Sequence, residues 1–545
     1  MSDKPSVVDV DVVAGTLLAP PGRVRASTKK APWWLWVAAL AVLAPVSIAI
    51  LALIVRAIGS STTVLETLFS FRTLRLAGRS FLLTALVTIA AVFIGVVGAW
   101  ILTRTDIRMK ALWGVIFALP LLIPSYVIAM TFISAAGPRG LFSDLTGVGL
   151  PYINGLFGAW ITLTLATYPY VFLITSAAMH RTDPSLEEAA RSLGSSPLRV
   201  FRTIVLTQLR PAIGAGALLV ALYTLSDFGS VSLMRFDAFT RVIYAQYSGR
   251  IDRTPAIVLS VVLMLIAGVV IWAEQRTRGE GAYFTKKPTR PPSLHRLTTA
   301  TRTGAVAFLC VVVALGAAIP VAVLIGWLAQ SINAGDGLFI AWNAVAGSIT
   351  GASLAAGVAM AAAIPIVVLG VRFASRRTVW LERSVFFMFS LPHITIAIAV
   401  LAFTIRYARP VYQSLVVLVV VYAAMFLAQV TGPARASLLQ VDPAIEEASR
   451  SLGRGRFATL WTMTVPLMSR GLLAGGALVF VTVIKELPAT LLLSPTGFTT
   501  LAVRIWAAAD ELLYARAASS ALILIAVSVI PIYYLSIKPK GVVDR

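Results

Sequence analysis

Histidine, cysteine and acidic side chains are scarce in this sequence, which has three His, one Cys and 23 Asp plus Glu in 545 residues. The lone cysteine, Cys310, lies inside an apolar run, so neither a disulfide framework nor a thiolate metal cluster can form within one chain. His180 and His295 stand in basic loops and His393 in an apolar segment, too dispersed to define a metal site by spacing. There is no Gly-x-x-x-x-Gly-Lys-Ser/Thr phosphate loop and no polar stretch long enough for a nucleotide-hydrolysing domain. Charge of either sign is sparse, at 13% of residues.

What remains is apolar. The chain is 58% hydrophobic with a mean hydropathy of +0.87, more apolar surface than a soluble fold can hide, so the class is an all-α polytopic membrane protein. A formal charge of +23 would suit a nucleic-acid partner, but the basic residues crowd the short segments between hydrophobic runs. That placement reads as a topology signal facing anionic lipid and the cell interior, with no nucleic acid implied. The opening residues mix Asp3, Asp9 and Asp11 with later Arg23, Arg25, Lys29 and Lys30. They read as a cytoplasmic tail before a retained first span, since a cleaved signal would carry a basic head beside its apolar core.

A helical span needs about 20 apolar residues, because unsatisfied backbone groups are too costly in hydrocarbon. Counting on that basis predicts twelve spans, near 34–55, 80–102, 111–134, 154–179, 208–229, 255–273, 304–328, 346–371, 383–404, 411–432, 467–486 and 518–537. Basic residues concentrate in alternate connections, including Arg104, Arg108 and Lys110, Arg276 to Arg302, and Arg372 to Arg383. Some charge also falls on the other side, at Arg235, Arg241 and Arg250, but the balance places both termini in the cytoplasm. The predicted organisation is a tail (1–33), a first membrane domain (34–273), a basic linker (274–303), a second membrane domain (304–537) and a short tail (538–545). The linker, broken by Pro288, Pro291 and Pro292, reads as a solvated connection without a specific partner.

One stretch occurs twice. Asp183-Pro184-Ser185-Leu186-Glu187-Glu188-Ala189-Ala190-Arg191-Ser192-Leu193-Gly194 returns 259 residues later as Asp442-Pro443-Ala444-Ile445-Glu446-Glu447-Ala448-Ser449-Arg450-Ser451-Leu452-Gly453, with nine of twelve positions identical. Asp-Pro reads as a helix start, with Asp accepting backbone N–H bonds and Pro in the first turn. The paired glutamates then lie where negative charge is favoured, and the glycine allows a bend or a close backbone approach. At the same offset Asp227 in the fifth span matches Glu486 in the eleventh. Equal positions in both halves predict a parallel repeat of two six-span lobes facing each other across a pathway.

These residues resemble the permease subunits of binding-protein-dependent ABC importers, with a MetI-like core in each half. That family's cytoplasmic "EAA" loop is matched by Glu188-Ala189-Ala190 with Gly194, and by Glu447-Ala448-Ser449 with Gly453. Ser449 departs from the pattern, as does the Leu-Pro pair that often follows: Leu467 comes after Pro466, and Leu206 precedes Thr207. The resemblance covers nearly all of residues 75–273 and 340–537. It implies that Glu188, Ala189, Ala190, Arg191, Gly194, Glu447, Ala448, Ser449, Arg450 and Gly453 couple to ATPase subunits. It also implies two such subunits carrying ATP and Mg, an extracytoplasmic solute-binding protein, and residence in a bacterial inner membrane. This chain would then move solute without covalent chemistry or a bound cofactor.

For the solute, the fused twelve-span form and the segments around Asp227 and Glu486 resemble ferric-iron importer permeases. Thiamine permeases share the fused form, and polyamine, sulfate and phosphonate permeases share the loop. Outside this class stand an ion-coupled secondary transporter and a membrane scaffold. Buried carboxylates at Asp227 and Glu486 would attract a cation, although Arg235 and Lys485 are placed to neutralise them. Two oxygen ligands suit passage rather than storage. Tyr126 after Pro124 and His393 after Pro392 fall where a kinked helix would face the pathway.

Overall fold

The computed structural model describes residues 31–59, 66–68, 70–136, 140–149, 151–181, 185–249, 251–277, 294–335 and 340–537. Residues 1–30 and 538–545, most of the basic linker, Arg250 and the Asp183-Pro184 start of the first loop copy lie outside these residues. The described chain is helical, as a bilayer demands of apolar segments that must satisfy every backbone group internally.

In the first half the main helices are α1 (Trp33–Gly59), α2 (Phe71–Arg104), α3 (Lys110–Ala118), α4 (Ser125–Ala135), α5 (Gly155–Arg181), α6 (Ser185–Ser192), α7 (Leu206–Ser226), α8 (Gly229–Leu233) and α9 (Thr254–Thr277). The second half supplies α10 (Thr299–Val313), α11 (Ile319–Asn333), α12 (Trp342–Arg372), α13 (Arg376–Ser390), α14 (His393–Tyr407), α15 (Leu415–Leu439), α16 (Pro443–Ser451), α17 (Val465–Val483), α18 (Pro488–Leu493) and α19 (Tyr514–Ile537). Serines set several starts: Ser70, Ser375 and Ser414 each accept an N–H bond from the third residue on, and Ser375 with Thr378 closes a capping box.

Among the described residues ten helices are long and apolar enough to cross a bilayer, or twelve if each of two bent pairs counts as one crossing. The bent pairs are the third and ninth spans, where Pro124 and Pro392 mark kinked helices in the sequence. Between Lys110–Leu122 and Ser125–Ala135 the axis turns by 86°, and between Arg376–Ser390 and His393–Tyr407 by 103°. Proline is the cause in both: Pro124 and Pro392 sit at the corners in extended backbone, where a ring without an N–H cannot continue the ladder. The fifth and eleventh spans also stop short of their predicted ends, before Asp227 and Glu486.

The 259-residue offset persists in three dimensions. Short π-helical turns at Phe201–Val205 and Leu460–Thr464 open the fifth and eleventh spans at equivalent positions. A Cβ added at Gly216 would sit 3.0 Å from the Val171 Cα, and one at Gly475 would sit 2.5 Å from the Val430 Cα, so α7 on α5 and α17 on α15 use the same close backbone contact. With hydrocarbon on both sides of the balance, close packing of small residues drives helix association in lipid. The buried alanines of α12, from Ala352 to Ala363, serve the same purpose.

Each half sends its opening helix to the other. α1 packs on α12, α14 and α15 of the second half and, within its own, on α9. Conversely, α10, α11 and the π-helical turn between them (Ala314–Ala318) meet α3, α4 and α5 of the first half and, within their own half, α19. The two halves therefore share one hydrophobic core.

Candidate functional site

The broken helices converge on a cavity of about 190 Å³ at the junction of the halves. Its first-half wall includes Leu121, Ser125, Tyr126, Tyr223 and Asp227, and its second-half wall His393, Phe426, Gln429, Lys485 and Glu486. All four pathway residues expected from sequence, Asp227, Glu486, Tyr126 and His393, line this one space.

Each carboxylate occupies the break after its span. Asp227 ends α7 in extended backbone, and its Oδ1 accepts from the N–H groups of Ser230 (3.0 Å) and Val231 (3.3 Å) at the start of α8. Ser125, the first residue after the Pro124 corner, donates its hydroxyl to Oδ2 of Asp227. Glu486 repeats the arrangement: Oε1 accepts from the Ala489 N–H at 3.2 Å, while His393, first after the Pro392 corner, places Nδ1 at 2.9 Å from Oε2. The Phe426 ring stands perpendicular to the imidazole, 5.2 Å away. At 8% and 6% exposure these carboxylates are buried yet hydrogen-bonded, as burial of a charge requires. Among the described residues neither Arg235 nor Lys485 forms a direct ion pair with them, though Lys485 lines the same cavity.

Lys485 instead reaches into the first half, donating from Nζ to the Leu121 carbonyl at 3.0 Å. Tyr126 answers from the first half, its hydroxyl 3.5 Å from the Lys485 carbonyl. A Cβ at Gly229 would lie 2.7 Å from that of Tyr126 and 3.1 Å from the Leu487 Cδ2, so only glycine lets the two halves meet here. Among the described residues no group of three or more His, Cys, Asp or Glu could hold a metal ion. The cavity is thus a largely apolar space into which a few polar side chains project, without a tight cation cage.

The twelve-residue repeats form a second pair of sites. α6 and α16 are short helices, and Asp442 caps α16 by accepting the Ala444 N–H at 2.9 Å, with Pro443 in the first turn. The first glutamate of each pair points inward. Glu187 meets Arg104 at the end of α2 at 2.9 Å with both side chains buried, and Glu446 meets Arg372 at the end of α12 at 3.0 Å. The second glutamates, Glu188 and Glu447, are exposed, as are Ala189 and Ala448. Ala190 is half-buried, and Ser449 is buried with its hydroxyl 3.4 Å from that of Thr459, so the departure from Ala falls on the inward side. Gly194 and Gly453 close the helices at φ +82° and +83°. A Cβ there would meet nothing within 4 Å, so the left-handed turn demands glycine and close packing within the chain does not. Leu193 and Leu452 beside them are 87% and 85% exposed.

The basic linker is not wholly solvated. His295 pairs with Thr105 as a backbone bridge, exchanging N–H bonds through Arg104 and Asp106 (2.8 and 3.2 Å). Arg191 places Nη2 at 2.7 Å from the His295 Nε2, and Asp106 binds Leu297 and Arg302. The first loop helix is thereby tied to the linker, while Arg450 in the second lies 3.9 Å from Glu447. His180 lies apart, bonding the Ser176 carbonyl.

A comparison with known families decides what this architecture is. The profile of the binding-protein-dependent transport system inner membrane component matches twice, over residues 91–273 and 366–538. The chain belongs to this family. The permease is 33% identical over 513 residues to an Fe(3+)-transport system permease protein, FbpB 2, of Haemophilus influenzae, covering 93% of this chain and 98% of that one. Shorter similarities include a sulfate transport system permease of Salmonella typhimurium (32% over 147 residues; 26% of this chain, 53% of that one). A probable molybdenum ABC transporter permease of Haloferax volcanii is 31% identical over 160 residues (29% and 58%). The permease is thus a non-enzymatic, ABC-importer-type transport subunit with two matching membrane regions.

Sequence reading missed Ser125, Glu187, Glu446 and the cross-half reach of Lys485. Ser125 could have been found as the neighbour of Pro124 matching His393 after Pro392. The inward glutamates could have been found from helix phase, since Glu187 and Arg191 are four residues apart on one face.

Proposed function

We propose that the permease carries ferric iron across a bacterial inner membrane, delivered by an extracytoplasmic binding protein and driven by two ATPase subunits on the cytoplasmic side. The observation that carries this reading is the likeness along almost the full length of both chains to the Fe(3+)-transport permease. The sulfate and molybdenum permeases match only a quarter to a third of the chain. Cavity chemistry supports a cation: Asp227 and Glu486 enter from opposite halves, where an oxyanion would meet like charge. With no three His, Cys, Asp or Glu side chains placed to hold one ion among the described residues, the cavity suits transient passage, and tight recognition belongs to the binding protein.

In this reading α6 and α16 dock on the ATPases through Glu188, Ala189, Glu447 and Ala448, with Leu193 and Leu452 as apolar anchors. Arg104–Glu187 and Arg372–Glu446 carry the motion of the docked helices into α2 and α12. Closure of the ATPases on nucleotide then switches the two halves between inward and outward access. The test is uptake by the full complex in proteoliposomes, offering chelated Fe3+ against sulfate, molybdate, thiamine and putrescine. ATP-dependent iron uptake alone is the expected result; ATP-dependent uptake of another solute without iron would overturn the substrate, and uptake indifferent to ATP would overturn the coupling.

A further inference from the structure

The two helix breaks create the same problem. In a helix the carbonyl of Leu121 would be satisfied by an N–H three or four residues on, but residue 124 is proline and the axis turns there by 86°. The carbonyl of Lys485 faces the same loss, because residue 488 is proline and the N–H of Ala489 is committed to the Glu486 carboxylate at 3.2 Å. An unpaired carbonyl in a membrane interior is costly. Each is approached from the opposite half: the Lys485 ammonium donates to Leu121 at 3.0 Å, and the Tyr126 hydroxyl lies 3.5 Å from the Lys485 carbonyl, the outer limit of a hydrogen bond.

We infer that Lys485 and Tyr126 form a two-point latch that holds the halves together across the cavity and must open for solute to pass. The inference rests on the chain being an ATP-driven permease, and the latch's response to cargo rests in addition on the solute being a cation. The latch is lopsided. Lys485 is the counterpart of Ser226 at the 259-residue offset, and a serine cannot span the junction, so a single ammonium makes the strong contact and the longer tyrosine bond the weaker one. Its placement beside Asp227 and Glu486 in one cavity gives an entering cation a direct effect on it. A cation between the carboxylates repels the ammonium and favours its release from Leu121, which makes opening responsive to cargo.

The experiment places a cysteine at Leu219, a cavity-lining position with no part in the latch, in a chain with Cys310→Ala, and purifies the permease with its ATPases in detergent. Maleimide labelling reads opening, and ATP hydrolysis without binding protein reads coupling. Lys485→Met is expected to raise both rates about tenfold, Tyr126→Phe about threefold, and Lys485→Arg to stay near the parent rates. Parent rates in both Lys485→Met and Tyr126→Phe would overturn the latch. If Lys485→Met fails to assemble, Tyr126→Phe decides alone: a rise upholds the latch and an unchanged rate refutes it. ATP-coupled uptake by the parent complex is measured alongside, so that failure of the transport reading shows separately.

Discussion

Glu187 meets Arg104 at 2.9 Å, and both side chains are almost wholly withdrawn from solvent. The contact joins the loop helix α6 to the C-terminal end of α2, while its neighbour Glu188 is exposed. Adjacent acidic residues of one motif therefore stand differently: one is buried in an ion pair and the other is exposed.

Removing the two charges should distinguish the two positions. Glu187→Ala leaves a buried arginine without this partner, a change that costs about 3 kcal/mol, and should lower the unfolding temperature of the detergent-solubilised chain. Glu188→Ala should leave unfolding unchanged and weaken co-purification with the ATPase subunits, as should Glu447→Ala. Equal unfolding temperatures for Glu187→Ala and Glu188→Ala would show that the buried pair holds nothing.

The glycines that end the loop helices give a second prediction. Because Gly194 and Gly453 are left-handed with open space around them, alanine should cost about 1 kcal/mol at each and asparagine less, since asparagine tolerates this backbone. Thermal unfolding of the Ala, Asn and Val variants should rank Gly above Asn, Asn above Ala, and Ala above Val. A ranking by side-chain volume would point to crowding in place of backbone angle.

Much of this was legible in the sequence because it depends on period and repetition. The spans follow from run length, the loop helices from Asp442-Pro443, and the common site of Asp227 and Glu486 from their equal offset. What was hidden depends on where chains turn and cross. Pro124 and Pro392 mark kinks in the sequence, but the size of the turns, 86° and 103°, is set by packing that the sequence does not display. A hydropathy count cannot show that α1 and α11 exchange partners between halves, because apolar helices in lipid carry no pattern naming their neighbour. The linker looked solvated by composition, yet the pairing of His295 with Thr105 is a backbone contact to which composition is blind.

That contact predicts a pH dependence. Burial, with Arg191 and Arg104 alongside, holds the His295 pKa below its ordinary value, near 6.5, so the docked imidazole is neutral and its Nε2 can accept from Arg191. Between the lowered pKa and about 6.5 the unfolded chain binds more protons than the folded one, so this contribution is complete above that window and declines as pH falls through it. The Asp106 carboxylate, lowered chiefly by its bond from the Leu297 N–H, stays charged throughout. The unfolding temperature should fall between pH 7.5 and 5.5, and His295→Gln should reduce the fall; an identical fall in the variant would place the sensitivity elsewhere.

The cavity carboxylates cap helices and carry charge, and the two jobs can be separated. Asparagine caps a helix about as well as aspartate, so Asp227→Asn keeps an oxygen for the Ser230 and Val231 N–H groups while removing the charge. Glu486→Gln does the same opposite His393. If a cation passes between them, each neutral variant should lose roughly tenfold in iron uptake, about 1.4 kcal/mol in the barrier, while remaining folded and bound to its ATPases. Ser125→Ala removes one hydrogen bond and leaves the charge, so its uptake should stay within about threefold of the parent, the smaller loss of a neutral donor. The informative comparison is Asp227→Asn against Ser125→Ala: a larger loss in the first assigns the carboxylate to the cargo, and equal losses assign it to holding the helix break.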